Sequence, residues 1–278
     1  HNIFTYMRKE DPVTWVEPDQ FRPFWTITKH EDIIEIEKQN DLFINDPRTT
    51  LMDIPTEEAI KEFTGGSHLL VRSLVHMDNP DHQAYRSLTQ KWFAPPNLES
   101  LKKDIRDIAK EYVQRMMEYG NECDFAKDVA IFYPLRVIMS ILGVPKEDEP
   151  RMLRLTQELF GGRDEDMIRD TDETSPESNT ITDFFEYFTN LTEERRKQPT
   201  DDVASVIANA KIKDEPLGHL EAMSYYVIIA TAGHDTTSSS TAGGILALTE
   251  NPEEFSKLKN NPDLMTSAVE ETIRWVTP

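Results

Sequence analysis

The stretch Ile228–Leu248, IIATAGHDTTSSSTAGGILAL, decides the fold. Its flanks are apolar enough for a buried helix. Its middle holds Gly233, His234 and Asp235, followed by an unbroken run of hydroxyl residues from Thr236 to Thr241. Glycine costs a helix roughly 1 kcal/mol relative to alanine, and hydroxyl side chains offer the backbone competing partners. Two readings fit. In one, the helix breaks, Gly233 ends the first segment and Asp235 or Thr236 caps the next. In the other, Gly233 and a neighbouring hydroxyl open the helix ladder and bend it, leaving a groove where an acid beside a hydroxyl relays protons to a bound group.

This segment reads as helix from about Leu217 to Leu248, which at 1.5 Å per residue is roughly 50 Å, long enough to cross a whole domain. Most of the chain from Pro80 onward is helical by its apolar spacing. NPDHQAYRSLTQKWF starts with Pro80 in a first-turn position after Asp78 or Asn79 as cap, and Pro95-Pro96 end it. LESLKKDIRDIAKEYVQRMMEYG carries Leu101, Ile105, Ile108, Tyr112 and Met116 on one face and stops at Gly120. FAKDVAIFYPLRVIMSILG, KEDEPRMLRLTQELFGG, ITDFFEYFTNLTEERRKQ and DDVASVIANA add further helices, and two short ones separated by Asn261-Pro262 close the chain. Residues 12–28 carry β-branched and aromatic residues in two runs, which predicts a small pair of strands. HEDIIEIEKQN predicts a short helix, and residues 46–76 a loop with one more. The acidic run 163–178 reads as a solvated loop. The fold class is mainly α with a small β region.

The 278 residues carry a formal net charge of −21, 38% hydrophobic residues and a mean hydropathy of −0.57. Such an acidic chain repels nucleic acid. No apolar run approaches the roughly 20 residues that span a bilayer, and no secretory signal opens the chain. The single cysteine, Cys123, excludes a disulfide framework, which fits a reducing cytoplasm. The start at His1 and the end at Pro278, directly after a helical segment, lead us to expect a chain cut at both ends.

None of the seven histidines lies three or four residues from another, and no Glu lies three before a His, so helix-borne metal pairs are excluded. There is no P-loop and no G-x-S-x-G. Two pairs remain. His82 and Arg86 project from one helical face and suit a carboxylate or phosphate, although alone they read as a surface pair. Glu271 and Arg274, three apart, alone read as a surface ion pair.

Taken in order, these segments resemble the cytochrome P450 family of haem-thiolate monooxygenases. AGHDTT is similar to the family's oxygen-binding motif on its long central helix. MDNPDHQAYR resembles its haem-propionate helix with His-x-x-x-Arg, and EETIRW supplies its Glu-x-x-Arg pair. GNECDFAKDVAIFYPLRVIMSILGVPKED has the shape of an Asp-Phe to Leu-Gly-Val-Pro segment of bacterial members. The resemblance covers essentially the whole chain and leans toward bacterial members that oxidise terpenoid alcohols.

The resemblance implies one cytochrome P450 domain over 1–278, truncated at the C-terminus, with its β-rich part about 1–50 and its helical part about 80–278. It implies haem (iron protoporphyrin IX) as cofactor. His82 and Arg86 would hold the propionates, Leu74 and Val75 would approach the haem, and Ala232 and Gly233 would leave room for dioxygen over the porphyrin. Thr236 and Asp235 would be the catalytic pair delivering protons for O–O cleavage. Ile228, Thr231 and Ala232 would line the substrate pocket, and Glu271 and Arg274 would be structural. Parts of residues 50–76 would form a lid, and residues 160–180 a mobile link between two roof helices. The reaction implied is hydroxylation of a small apolar substrate (terpenoid, steroid or hydrocarbon-like), using dioxygen and a ferredoxin-type electron donor in the bacterial cytoplasm, with no nucleic-acid or membrane partner. The family's iron ligand is a Cys in a Gly-rich loop beyond the Glu-x-x-Arg helix. That loop is absent from these residues and Cys123 does not replace it, so no metal ligand is assigned and the 278 residues alone are expected to be inactive. The rival class is an acidic helical scaffold or interaction protein without haem.

Overall fold

The computed structural model describes residues 2–160 and 176–277. Its described residues fall into two units, His1–Ser87 and Leu88–Pro278.

In the first unit, α1 (Asn2–Glu10) precedes the antiparallel pair β1 (Val13–Val16) and β2 (Phe24–Ile27), in the register Val13 to Ile27 and Val16 to Phe24. Trp15 faces Trp25 across the pair with ring centroids 5.2 Å apart. These strands are the ones expected from residues 12–28; α1 was not. Helix α2 (His30–Glu37) and helix α3 (Ile54–Thr64) follow, then a 3-10 turn at Leu74–His76 and helix α4 (Asp81–Gln90), which runs past the unit's end. Buried Glu57 fixes α3, accepting from Arg22 Nε at 2.6 Å and Arg48 Nε at 2.8 Å. The cap expected of Asp78 is not formed by its side chain. That carboxylate accepts instead from the backbone N–H groups of Asn45 and Asp46, at 2.9 and 3.0 Å.

The second unit is helical: α5 (Pro95–Glu118), a π-turn at Ala126–Ala130, α6 (Phe132–Leu142), a 3-10 turn at Lys146–Asp148, α7 (Glu149–Phe160), α8 (Pro176–Lys197), α9 (Val203–Ala208), α10 (His219–Ala232), α11 (Asp235–Glu250), α12 (Pro252–Asn260) and α13 (Met265–Val276). A two-residue pair of strands, β3 (Lys211–Ile212) and β4 (Glu215–Pro216), was not anticipated; Lys213 and Asp214 turn it with positive φ. Pro95 opens α5 rather than ending the helix before it, because a missing N–H costs nothing in the first turn. Most of the acidic run 163–178 lies outside the described residues.

The core of this unit forms where α8, α9 and α10 meet. Phe188 stacks on Tyr226 at 4.6 Å, and the Tyr226 hydroxyl donates to the Ala204 carbonyl at 3.1 Å. Gly143 ends α6 at φ +69°, where a Cβ would run into the Asp202 carboxylate. That carboxylate is held by Arg195 Nε at 2.6 Å and caps α9 through the Ser205 N–H at 2.7 Å, while Arg195 Nη2 donates to the Gly143 carbonyl. One buried ion pair therefore joins the ends of α6, α8 and α9. Among the described residues, no helix is long and apolar enough to cross a membrane.

Candidate functional site

The long helix expected over Leu217 to Leu248 is two helices. Helix α10 ends at Ala232, Gly233 keeps helical backbone angles, and His234 (φ −92°, ψ −71°) breaks the path before α11 begins at Asp235. The turn tightens there, with the His234 N–H on the Thr231 carbonyl at 3.2 Å. The Ser238 N–H then restores the helical spacing on the His234 carbonyl. The break is real, but neither Asp235 nor Thr236 caps it: the N-cap residue is His234, which makes no side-chain cap.

The hydroxyl run now has a partial explanation. Thr231, Thr236, Ser238 and Thr241 each donate to the carbonyl four residues back, at 2.7, 3.1, 2.9 and 2.7 Å. Such bonds satisfy backbone oxygens around a bend without help from other elements. Gly233 has a packing reason as well. A Cβ there would lie 2.7 Å from Ile138 Cγ1, so its lack of a side chain lets α10 approach α6. Ala232 is exposed and Ile228 half-buried, whereas Thr231 is buried with its hydroxyl committed to Val227. Asp235 and Thr236 are exposed at the start of α11, and the Asp235 carboxylate makes no hydrogen bond or ion pair among the described residues.

His234 is 2% exposed, and its Nε2 lies 2.8 Å from the Ile131 carbonyl, between the π-turn and α6. A carbonyl only accepts, so Nε2 carries the hydrogen. Burial pushes the imidazole below its ordinary pKa, opposed by this hydrogen bond and by Asp235. Sequence reasoning gave His234 no role of its own; an imidazole inside an apolar-flanked helix was the only available signal.

Thr236 also lines a groove of about 1190 Å³ bounded by α11, α12 and α13. Thr237, Ser240 and Thr241 continue its polar edge, and Ile245, Met265, Val269 and Trp275 give it apolar walls. Gly243 and Gly244 build it: added Cβ atoms would meet Val276 Cγ2 and Thr272 Cγ2, each at 2.6 Å, so α13 crosses α11 at close range. On α13, Arg274 grips Glu271 through two 2.6 Å bonds, exposed to solvent.

The first unit carries the remaining expected residues. Leu74 is half-buried and Val75 exposed in the 3-10 turn. On α4, His82 is half-buried and Arg86 exposed, and neither side chain makes a hydrogen bond or ion pair among the described residues.

Haem needs apolar walls, donors for two propionates and an axial ligand. Within the second unit the groove has apolar walls beside a hydroxyl, which suits the first need. Within the first unit His82 and Arg86 are donors of the kind the second need calls for. The residues present do not supply the thiolate. Cys123 is exposed between α5 and the π-turn and does not line the groove, and the described residues contain no cluster of three side chains able to hold a metal ion.

No family model matches the chain. Cytochrome P450-terp of a Pseudomonas species is 41% identical over 99% of the chain and 66% of its own length. The crystal structure of CYP108D1 from Novosphingobium aromaticivorans matches all of the chain and 66% of its own, with a TM-score of 0.89 and 45% identity. Mycobacterium marinum cytochrome P450 CYP268A2, solved with pseudoionone, matches all of the chain and 67% of its own, with a TM-score of 0.88 and 26% identity. The chain thus spans about two thirds of the length of the curated relatives it matches. With an alignment that covers essentially the whole chain at this identity and the same fold beneath it, the chain belongs to the cytochrome P450 family.

Proposed function

We propose that these residues form the oxygen- and substrate-facing part of a haem-thiolate monooxygenase that hydroxylates a small apolar molecule. The overall reaction is substrate, dioxygen, two electrons and two protons giving hydroxylated product and water. Bound haem supplies reductive activation of dioxygen. The observation that carries the reading is the break at Gly233–His234, which leaves an uncommitted acid, Asp235, next to a groove-lining hydroxyl, Thr236. Asp235 would take protons from solvent and Thr236 would pass them on, its Oγ1 already anchored on the Ala232 carbonyl. Ala232 and Gly233 would leave room beside them. In the first unit, His82 and Arg86 would bind the propionates, Arg86 as a planar fork, and Leu74 and Val75 would approach the macrocycle. Glu271 and Arg274 would brace α13.

Ile228, Thr231 and Ala232 would touch substrate. Support for an apolar substrate (terpenoid, steroid or hydrocarbon-like) comes from these side chains and from the relative bound to pseudoionone. A ferredoxin-type donor in the bacterial cytoplasm would deliver the electrons. The activity is proposed for the full-length protein with an axial thiolate. Family membership leaves the haem-free acidic scaffold without support. Thr236→Ala in the full-length, haem-loaded protein tests the reading. Electron consumption should continue while product per electron falls at least about tenfold and hydrogen peroxide accumulates. Unchanged coupling overturns the proton-relay role.

A further inference from the structure

Buried His234 is the one titratable group at the break that this reading leaves without a task. It sits one residue before the acid and two before the hydroxyl, yet its ring is turned inward to the Ile131 carbonyl, 103 residues earlier. The neighbourhood of that carbonyl is unusual. Residues Ala126–Ala130 form a π-turn, and the Ile131 N–H reaches back to the Ala126 carbonyl at 3.1 Å before α6 begins. Pro134 then removes a backbone donor from the first turn of α6. Two irregular turns, each short of regular helix bonds, are thus linked by a side-chain hydrogen bond in addition to their packing. Apolar packing alone constrains rotation about such a break weakly; a buried hydrogen bond of fixed direction constrains it well.

We propose that His234 is a positioning residue: its Nε2–H, bound to the Ile131 carbonyl, pins the break to the π-turn and so fixes the direction in which Ala232, Asp235 and Thr236 are presented. The proposal rests on the monooxygenase reading for its catalytic consequence, but not for the pin itself. His234 touches no substrate. It sets the start of α11, and α11 carries the hydroxyl.

The test uses the full-length protein with two variants. His234→Gln keeps an N–H donor near the position of Nε2. His234→Phe keeps an aromatic ring and removes the donor. Hydrogen exchange is followed at the amides of Asp235 to Ser238, with and without haem. Product per electron is measured in the haem-loaded form, with substrate affinity measured in parallel. His234→Phe should exchange about tenfold faster at these amides, the loss of roughly one net hydrogen bond. It should also uncouple electron use from product while substrate affinity stays within about twofold. His234→Gln should recover most of both effects. Wild-type exchange in His234→Phe overturns the pin, as does equal loss in both variants, which would assign His234 to packing alone. If exchange responds as expected while the full-length protein binds no haem, the pin stands and the monooxygenase reading falls.

Discussion

Gly233→Ala separates the two reasons a glycine can stand at the break, room for a bound group or close approach of helices. An added Cβ would lie 2.7 Å from Ile138 Cγ1 and closer still to Cδ1, well inside the ordinary carbon contact of about 3.5–4.0 Å. Overpacking of this kind costs about 1–3 kcal/mol. The backbone at 233 is helical (φ −88°, ψ −11°), so alanine regains about 1 kcal/mol of propensity. The net expected loss is about 0–2 kcal/mol. Ile138→Ala removes both obstructing atoms and, for a half-buried side chain, costs about 2 kcal/mol by itself. In that background Gly233→Ala meets no obstacle and should stabilise by up to about 1 kcal/mol. The cycle therefore carries a favourable coupling of about 1–3 kcal/mol. Urea midpoints of the four full-length proteins, compared at unchanged slope, give the coupling directly. If Gly233→Ala shifts the midpoint by the same amount in both backgrounds, the packing explanation of this glycine is refuted.

Gly143→Ala is expected to be the more damaging glycine substitution. It needs φ +69° and displaces the Asp202 carboxylate from a buried ion pair, so a loss of about 3 kcal/mol should appear in the same unfolding assay. Acid should weaken the fold through histidines before carboxylates. Burial depresses both His76 and His234 below their ordinary 6.5, with Arg72 adding to the effect at His76. The unfolded chain therefore takes up these protons first, and stability is full above pH 6.5 and declines below it. Glu57, lowered to about 2 chiefly by Arg48 and then Arg22, keeps its contribution through that window and loses it only below about pH 4.5. Urea midpoints from pH 8 to pH 3 check the order, which is wrong if the midpoint stays flat between 6.5 and 5. Arg86→Ala should release haem about tenfold faster from the full-length protein while its unfolding midpoint stays put, because Arg86 holds no partner in its own unit. Unchanged release removes it from the propionate assignment.

Signals that lie within one or two turns were legible in the sequence. Residues 12–28 show the period and composition of paired strands, and they pair. The polar middle of Ile228–Leu248 announced a break, and the chain breaks at Gly233–His234. What sequence could not show was the long-range partner. Asp78 or Asn79 looked like a cap for α4, but the Asp78 carboxylate is taken by the N–H groups of Asn45 and Asp46, which only the folded loop presents. Asp235 or Thr236 looked like a cap for α11, but His234 occupies that position and its ring is claimed by the Ile131 carbonyl between the π-turn and α6. The pair Gly243–Gly244 is a crossing point, because Val276 and Thr272 lie where side chains would stand. A glycine's purpose depends on its neighbour, and the neighbour is set by the fold.

The central claim is that these residues face a thiolate-ligated haem in the full-length protein. The most direct measurement is the absorption spectrum of that protein, reconstituted with haem, reduced and exposed to carbon monoxide. The expected result is one haem per chain with the strongly red-shifted Soret band of a thiolate-ligated iron. Failure to take up haem, or an unshifted band such as a histidine-ligated iron gives, would contradict the claim.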